Sequence, residues 1–277
     1  MLLKRLGFAA CVIQLLILSG CTGINTTYPG VVGINRTQYM FDPITAKEMK
    51  LSYAQSYSAA LSKAKQQGID ATDMPQGKRV QTIALRIVKQ ARYFRPDAQV
   101  WDWNIALIRN PELNANCGPG GKIIVFTGLI DTLKATDDEL ASVISHEVSH
   151  ALREHSREQA SSKAAFEIAG TLGASALGAG SLGKTAISKL LDAGVGLPFS
   201  RRDETEADLM GLELAARAGF DPRASVTLWK KMEALSKASM LPGFLRTHPT
   251  NEDRIVAIQQ MLPKVMPLYQ AAVLSKR

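Results

Sequence analysis

Two histidines and a glutamate lie within five consecutive residues near the middle of the chain. His146, Glu147 and His150 occupy the first, second and fifth positions of the stretch HEVSH. On an α-helix, residues four apart differ by only about 40° in direction, so the two histidines would project side by side toward one metal ion. Ring nitrogens suit zinc, and Glu147, about 100° away, could take a proton from water at the metal. If the stretch is helical, it predicts a zinc site with a base beside it.

The residues that flank this stretch predict the helix that the site needs. Thr136 is followed by three consecutive acids, the last of which is Glu139, and this pattern is typical of an N-cap with a capping box. The acids also suit the positive end of the helix dipole. Apolar residues then recur at helical spacing as far as Leu152. We therefore expect a buried helix from about 137 to 154, with the metal face beside the core face.

A second group of candidate ligands lies where another helix is predicted to begin, near residue 200. Four acids compete there: Asp203, Glu204, Glu206 and Asp208. Glu204 and Asp208 share a helical face, whereas Glu206 points roughly 200° away from Glu204. One carboxylate of the pair could bind zinc while the other accepts a hydrogen bond from a ligating histidine and fixes its tautomer. The alternative is a solvated acidic first turn.

Two further histidines lie outside the HEVSH stretch. His155 follows His150 by five residues and would lie about 140° off its face, so we leave it out of the predicted site. His248 has no helical register that ties it to the metal. Pro249 restricts its backbone to extended conformations. His248 is therefore either a site residue or a structural loop histidine.

The N-terminus is typical of an exported lipoprotein. Residues 1–20 have a basic start, an apolar run and a small-residue end, which together predict a signal peptide. The sequence LSGC that ends at Cys21 resembles the lipobox of bacterial lipoproteins, in which the cysteine carries lipid. Thr22 follows it, and the absence of Asp there resembles lipoproteins sorted to the outer membrane. We expect residues 21–43 to be a lipidated cysteine and a tether without a fold of its own, and 44–277 to be the domain.

The composition indicates an ordinary globular protein and argues against a nucleic-acid partner. The chain has 277 residues, of which 46% are apolar and 21% charged, and its formal charge of +8 is spread along the sequence. No block of five or more Lys or Arg residues occurs, so general attraction to anionic surfaces is the better interpretation. Cys117 is alone in the predicted domain, and we expect it to be buried and inert.

The remaining patterns predict a mostly helical α+β domain. Helices are expected at about 45–67, 76–93, 200–219, 221–237 and 250–261. Strands at 100–109 and 123–126 suggest a small antiparallel sheet beside the helix that carries the HEVSH stretch. This sheet either holds a peptide as an added strand or is purely structural. The stretch 164–196, rich in Ala and Gly, predicts a helical hairpin or a lid over the cleft, with shallow insertion into lipid as the alternative.

The residues from about 45 to 262 resemble the HtpX-like and CAAX-prenyl-protease-like zinc endopeptidases. Four motifs carry the resemblance: His146-Glu147-x-x-His150, Glu204-x-x-x-Asp208, Thr247-His248-Pro249 with Arg254 after it, and Asn114-Ala115 with Pro119-Gly120-Gly121. The resemblance implies a gluzincin-like domain with an edge strand along its cleft, and one zinc ion per chain. It also implies roles for individual residues: His146, His150 and Glu204 as ligands, Glu147 as general base, Asp208 behind a ligand, His248 near the tetrahedral intermediate, and Asn114, Ala115 and Arg254 in substrate binding.

This resemblance implies a zinc metalloendopeptidase. Combined with the N-terminus, it predicts a lipoprotein on the periplasmic face of the outer membrane that cuts internal peptide bonds of unfolded or damaged envelope proteins. The chain departs from the integral-membrane members of the group because it lacks credible membrane spans. The alternative is a periplasmic lipoprotein that binds or chaperones partners, with low or gated peptidase activity. The intact ligand set and the intact Glu147 favour the enzyme.

Overall fold

The computed structural model describes residues 21–176, 198–237, 243–249 and 252–275. The predicted signal peptide and most of the Ala/Gly-rich stretch lie outside the described residues, as does the side chain of Cys21. The first half of the domain contains β1 (Cys21–Ile24), β2 (Gln38–Phe41), α1 (Ala46–Gln66), α2 (Pro75–Val88), β3 (Asn104–Ile108), β4 (Ala115–Gly118), β5 (Lys122–Phe126) and α3 (Thr127–Leu133). Short 3-10 helices at Ala91–Tyr93 and Pro96–Val100 follow α2.

All of the regular secondary structure in the second half of the described chain is helical. It contains α4 (Asp137–Leu152), α5 (His155–Ala176), α6 (Arg201–Arg217), α7 (Ala224–Lys237), α8 (Gly243–Thr247) and α9 (Glu252–Leu274). The predicted mostly helical α+β class is confirmed. None of the described helices is both long enough and apolar enough to cross a lipid bilayer.

Helix α4 lies at the centre of the domain, as its sequence predicts. The Thr136 hydroxyl accepts the Glu139 N–H, and the Glu139 carboxylate accepts the Thr136 N–H, which completes the capping box. Every residue from Glu139 to Leu152 is buried. The helix ends there because Glu154 adopts a left-handed backbone conformation with φ 53°. The HEVSH stretch therefore lies inside a rigid, fully packed element.

The sheet beside α4 has the strand order β3-β5-β4. We expected its two predicted strands to be antiparallel, but β3 and β5 are parallel, with Asn104 opposite Lys122. The reason is the unpredicted strand β4, which forms an antiparallel hairpin with β5 through a turn at Gly120 and Gly121, where φ is 83° and 90°. Strand β5 thus fills the middle of the sheet, and β4 is an edge strand that also packs against α4.

The N-terminal segment, residues 21–44, is folded onto the domain. Strands β1 and β2 pair in antiparallel fashion, and Val32, Ile34 and Met40 are buried. The Glu213 carboxylate of α6 accepts the N–H groups of Val31 and Val32 at 2.8 and 3.1 Å. The expectation that this segment needs no fold of its own is wrong. Its polar, turn-rich composition is typical of a tether, but its few apolar residues pack against partners that are remote in sequence.

The last helix is longer than its sequence predicts. We expected it to end before Pro263, but α9 continues through Pro263 and Pro267 to Leu274. Each proline removes one main-chain donor, which a helix can tolerate when packing holds it in place. Arg254, Ile258 and Val265 are buried on the face that packs against the domain.

Candidate metal centre

Four buried side chains converge at the middle of α4. His146 and His150 from α4, Glu204 from α6 and His248 from the turn after α8 each offer one donor atom, and these atoms all lie within 4.8 Å of one another. His146 Nε2 lies 3.1 Å from His150 Nε2 and 3.2 Å from His248 Nδ1. The Glu204 Oε1 atom lies 2.9 Å from His248 Nδ1 and 3.4 Å from His150 Nε2. Three imidazoles and a carboxylate thus surround one small volume.

Close packing of two helices brings Glu204 to this point. Helix α6 begins at a capping box between Ser200 and Asp203, which places Glu204 in the first turn. Gly211 further along α6 lets the two backbones approach, because a Cβ there would lie only 2.9 Å from the amide nitrogen of His146. The predicted helical geometry is observed: Asp208 reaches His146 from the same face as Glu204, whereas Glu206 points away from the metal centre.

Glu147 lies beside the donor group and differs from the other carboxylates in its surroundings. It is buried next to the main chain of Cys117 in β4. Its Oε1 atom has no hydrogen-bond partner among the described residues and lies 3.4 Å from His248 Nε2. Burial raises the pKa of this carboxyl above its ordinary value. Such an incompletely satisfied carboxylate can accept a proton from a molecule that enters the site.

A buried ion pair holds the far side of His146. Asp208 Oδ1 lies 2.9 Å from His146 Nδ1, and Arg254 donates to the same carboxylate from Nε at 2.6 Å and Nη2 at 2.8 Å. Arg254 Nη1 also lies 2.7 Å from Glu204 Oε2. We expected Arg254 among the substrate-binding residues, but it is buried behind the ligands. Its geometry supports a role in holding Asp208 and Glu204.

The donor set fits a zinc ion. Three carboxylates lie in the site, and the guanidinium of Arg254 pairs with two of them, Glu204 and Asp208. The third, Glu147, lies beside His248. An excess of carboxylates suits a bound cation. Burial lowers the pKa of His150 well below its ordinary value, and this favours the neutral imidazole that metals bind. Burial alone would raise the pKa of Glu204, but Arg254 and His248 lower it, which keeps the carboxylate ionised.

His155, which we left out of the site, contacts one of the predicted ligands. Its Nδ1 atom lies 2.9 Å from His150 Nδ1, and its Nε2 atom lies 3.2 Å from Glu206 Oε2. Helical geometry failed here because α4 and α5 are separate helices, divided by the left-handed residue Glu154. An angle calculated for one continuous helix therefore does not apply. His155 remains outside the donor group but lies directly behind it.

Glu206, which His155 contacts, is an ionised carboxylate that two arginines surround. Arg153 donates to it from Nη2 at 2.8 Å, and Arg36 donates from Nη2 at 3.1 Å. Burial alone would raise the pKa of Glu206, but hydrogen bonds from His155 and Arg36 and the charge of Arg153 lower it to about 2. Sequence alone offered no signal for Arg36, since it lies in the segment that we expected to be a tether.

The remaining predicted residues lie in the edge strand β4 or directly before it. Asn114 precedes β4, and its side-chain oxygen accepts the N–H of Ala115 at 2.9 Å. Ala115 and Cys117 are buried within β4. Burial raises the pKa of the Cys117 thiol well above its ordinary value, which agrees with the expected inert, packed cysteine.

The sequence of residues 75–262 matches the model of one protein family, described as Peptidase family M48. This chain belongs to peptidase family M48. The M48 match includes all four residues of the donor group and Glu147. It therefore agrees with the zinc centre that the geometry indicates.

Individual M48 relatives are similar to this chain over more than half of its length. The mitochondrial metalloendopeptidase OMA1 of Schizosaccharomyces pombe is 40% identical over 163 residues, which are 58% of this chain and 47% of the relative. The OMA1 of Saccharomyces cerevisiae is 32% identical over 74% of this chain and 61% of its own length. The beta-barrel assembly-enhancing protease of Escherichia coli is 28% identical over 68% of this chain and 39% of its own length. The chain thus spans less than two thirds of each of these relatives.

Proposed function

We propose that this M48 chain is a zinc-dependent endopeptidase. The observation that carries the proposal is the buried group of His146, His150, Glu204 and His248 with the incompletely satisfied Glu147 beside it. We assign the metal to His146, His150 and Glu204, because catalytic zinc commonly takes three protein ligands and keeps one position open. When bound, zinc supplies a Lewis acid that polarises the scissile carbonyl and acidifies water.

The protein's own groups would carry the proton and hold the substrate. Glu147 takes a proton from the attacking water and delivers it to the leaving amine. His248 lies beside Glu147 and His146, where an N–H donor would stabilise the charge that develops on the carbonyl oxygen. Its Nδ1 atom is also close enough to the other donors to compete as a fourth ligand. The behaviour of a His248 variant separates these two roles.

Strand β4 is the element that we propose for binding the peptide. It is the edge of its sheet, and its residue Cys117 lies next to Glu147. An extended peptide that adds to this edge would therefore pass close to the base. Recognition through main-chain hydrogen bonds is largely indifferent to sequence, which suits a protease of unfolded chains. Asn114 and Ala115 at the start of β4 are then the predicted substrate-side residues.

The proposed substrates are unfolded or damaged proteins of the cell envelope. Three observations support this part of the proposal: the signal-peptide pattern, the lipobox-like residues before Cys21, and the similarity to a beta-barrel assembly-enhancing protease. We place the chain on the outer membrane, facing the periplasm, through lipid on Cys21. Cys21→Ala should move the protein from the membrane to the soluble periplasmic fraction or leave it unprocessed. A membrane-bound, normally processed variant would contradict the anchor.

The experiment that tests the enzyme is casein proteolysis by the purified protein, with and without a zinc chelator. We expect cleavage that the chelator abolishes and added zinc restores. Glu147→Gln should keep one zinc per chain and lose about 10² to 10⁴ in rate, because it removes the base and no ligand. Glu233→Gln on α7, which removes a partly exposed carboxylate that pairs with Lys237, is the matched control and should stay active. Zinc-loaded protein that binds casein without cutting it would favour the binding or chaperone alternative.

A further inference from the structure

A chain of contacts leads from one proposed zinc ligand to the N-terminal segment. The Nε2 atom of His150 faces the donor group, while its Nδ1 atom lies 2.9 Å from His155 Nδ1. The other ring nitrogen of His155 lies 3.2 Å from Glu206 Oε2. Glu206 in turn accepts hydrogen bonds from Arg153 and Arg36. We call this group the His155 network; its members are His150, His155, Glu206, Arg153 and Arg36.

Hydrogen-bond chemistry allows one proton arrangement in this network when His150 binds a metal through Nε2. The Nδ1 atom of His150 then carries the proton and donates it, so the facing Nδ1 atom of His155 must accept. The proton of His155 consequently lies on Nε2, which donates to Glu206. Each N–H in the row has an acceptor, and both rings have a fixed tautomer and orientation. Such contacts behind a ligand commonly raise metal affinity.

Two arginines from separate parts of the chain hold the carboxylate at the far end. Arg153 is fully buried in the turn after α4 and donates to Glu206 Oε2 from both Nε and Nη2, at 3.0 and 2.8 Å. Arg36 comes from the N-terminal segment and also pairs with Glu158 of α5 and Asp203 of α6. Arg36 therefore joins this segment to α5 and α6, two of the three helices that carry the network.

A second metal ion is the competing explanation for this cluster, and the charges argue against it. His155, Glu158 and Asp203 offer donor atoms that lie within 4.8 Å of one another. The guanidinium of Arg36, however, lies 2.9 Å from Glu158 Oε2 and 3.0 Å from Asp203 Oδ1. These carboxylates already have a cation, so the cluster is an ion-pair network and not an additional metal site.

We propose that His155 is a positioning residue for the metal centre, and that the N-terminal segment takes part in that positioning through Arg36. The inference rests on the proposed function, since it takes His150 as a ligand through Nε2. His155 holds the imidazole of His150 in the ligating tautomer, and Glu206, fixed by the two arginines, holds His155. The N-terminal segment is therefore part of the scaffold of the catalytic centre.

The test measures metal binding directly, apart from activity. Zinc affinity is determined by competition with a chromophoric chelator, and ligand geometry by the visible absorption of the cobalt-substituted protein. His155→Phe, which fills the space without a hydrogen bond, should weaken zinc binding by about 10- to 100-fold and shift the cobalt bands. His155→Asn, whose side-chain oxygen lies near the Nδ1 position, should recover most of the affinity. Arg36→Gln, at the far end, should weaken binding by a few-fold.

The controls separate positioning from general loss of stability. Leu107→Ala in β3 removes buried apolar volume away from the network, so it should lower the unfolding temperature and leave zinc affinity unchanged. The inference is overturned if folded His155→Phe binds zinc like the wild type with an unchanged cobalt spectrum. Should His155→Phe not fold, the same result in Arg36→Gln overturns it. Failure of the wild type to bind zinc would instead refute the proposed function.

Discussion

The two histidines of the HEVSH stretch are held from behind in different ways. His146 contacts a carboxylate directly, since Asp208 Oδ1 lies 2.9 Å from its Nδ1 atom. His150 contacts the ring of His155 at the same distance, and the carboxylate of Glu206 lies one residue further away. Both carboxylates come from α6, two positions apart and on different faces. One helix therefore supports both ligands, once directly and once through an imidazole.

The two sides also differ in the part of the chain that fixes them. Arg254 from α9 holds Asp208, whereas Arg36 from the N-terminal segment and Arg153 hold Glu206. Negative charge in contact with a ligating imidazole strengthens its interaction with a metal, and the effect decreases with distance. The comparison indicates that the charge of Asp208 should contribute more to metal affinity than the charge of Glu206, which lies one residue further from its ligand.

The largest effect is expected at Glu204, which contributes a donor atom between the two sides. Glu204→Gln replaces a charged oxygen ligand with a neutral amide, so the protein should lose its zinc on dialysis and its proteolysis should fall to background. Metal analysis after dialysis measures this outcome. Glu233→Gln makes the same change at a partly exposed carboxylate of α7 and should keep one zinc. Full zinc in Glu204→Gln would show that the ligand set is different.

The next largest effect is expected at His248, whose loop is held by the Asp208 side, since Arg254 also donates to the Pro249 carbonyl at 2.9 Å. His248→Ala should keep its zinc and its fold, but kcat should fall by about 10² to 10³, with KM changing much less. Metal analysis and steady-state kinetics on a peptide substrate give both quantities. Unchanged turnover would make His248 structural, and loss of zinc would make it a ligand.

A direct test of the comparison replaces the carboxylate on each side. Asp208→Asn should weaken zinc binding by about 10- to 100-fold, because it removes the charge that contacts His146. Glu206→Gln should have a smaller effect, because His155 stands between this charge and His150. Chelator competition on both variants ranks the two sides. An equal or larger loss in Glu206→Gln would reverse the ranking that the contact distances suggest.

The smallest predicted effect is a pH dependence of the metal-free protein. Glu206 has its pKa lowered from 4.5 to about 2 in the fold, so its contribution to stability is complete above about pH 4.5 and is lost as the pH falls toward 2. Urea unfolding of chelator-treated protein between pH 7 and pH 3 measures this loss. Glu206→Gln lacks the titrating group and should lose less stability over that range. If the free energy of unfolding falls equally with pH in the wild type and in Glu206→Gln, the lowered pKa assigned to Glu206 is contradicted.

Much of the site could be predicted because its main elements are local in sequence. The capping box at Thr136 and the helical repeat of apolar residues predicted α4, and the spacing of His146 and His150 then followed from helix geometry. The same argument placed Glu204 and Asp208 on one face of α6 and turned Glu206 away from it. For Asp208 and Glu204, spacing left open which of them binds metal, and the tertiary contacts show Asp208 behind His146.

The features that sequence reasoning missed all depend on a break in a helix or on a partner remote in the chain. His155 meets His150 because Glu154 ends the helical register, and a single left-handed residue leaves little trace in a hydrophobic pattern. Strand β4 lies between the two predicted strands in the sequence and forms a hairpin with β5, so β3 and β5 pair in parallel.

The amino-acid sequence by itself determined three things: helix α4, the face of α6 that carries Glu204 and Asp208, and the class of chemistry. Each depends on spacings of a few residues along regular backbone. Tertiary structure alone decided which groups stand behind the ligands. Arg36 and Arg254, 218 positions apart in the numbering of the chain, both reach carboxylates of α6. Their roles depend on ion pairs that form only when the N-terminal segment and the last helix pack against the same helix. No local pattern specifies such pairs, since charge and burial at these positions are set by the whole fold.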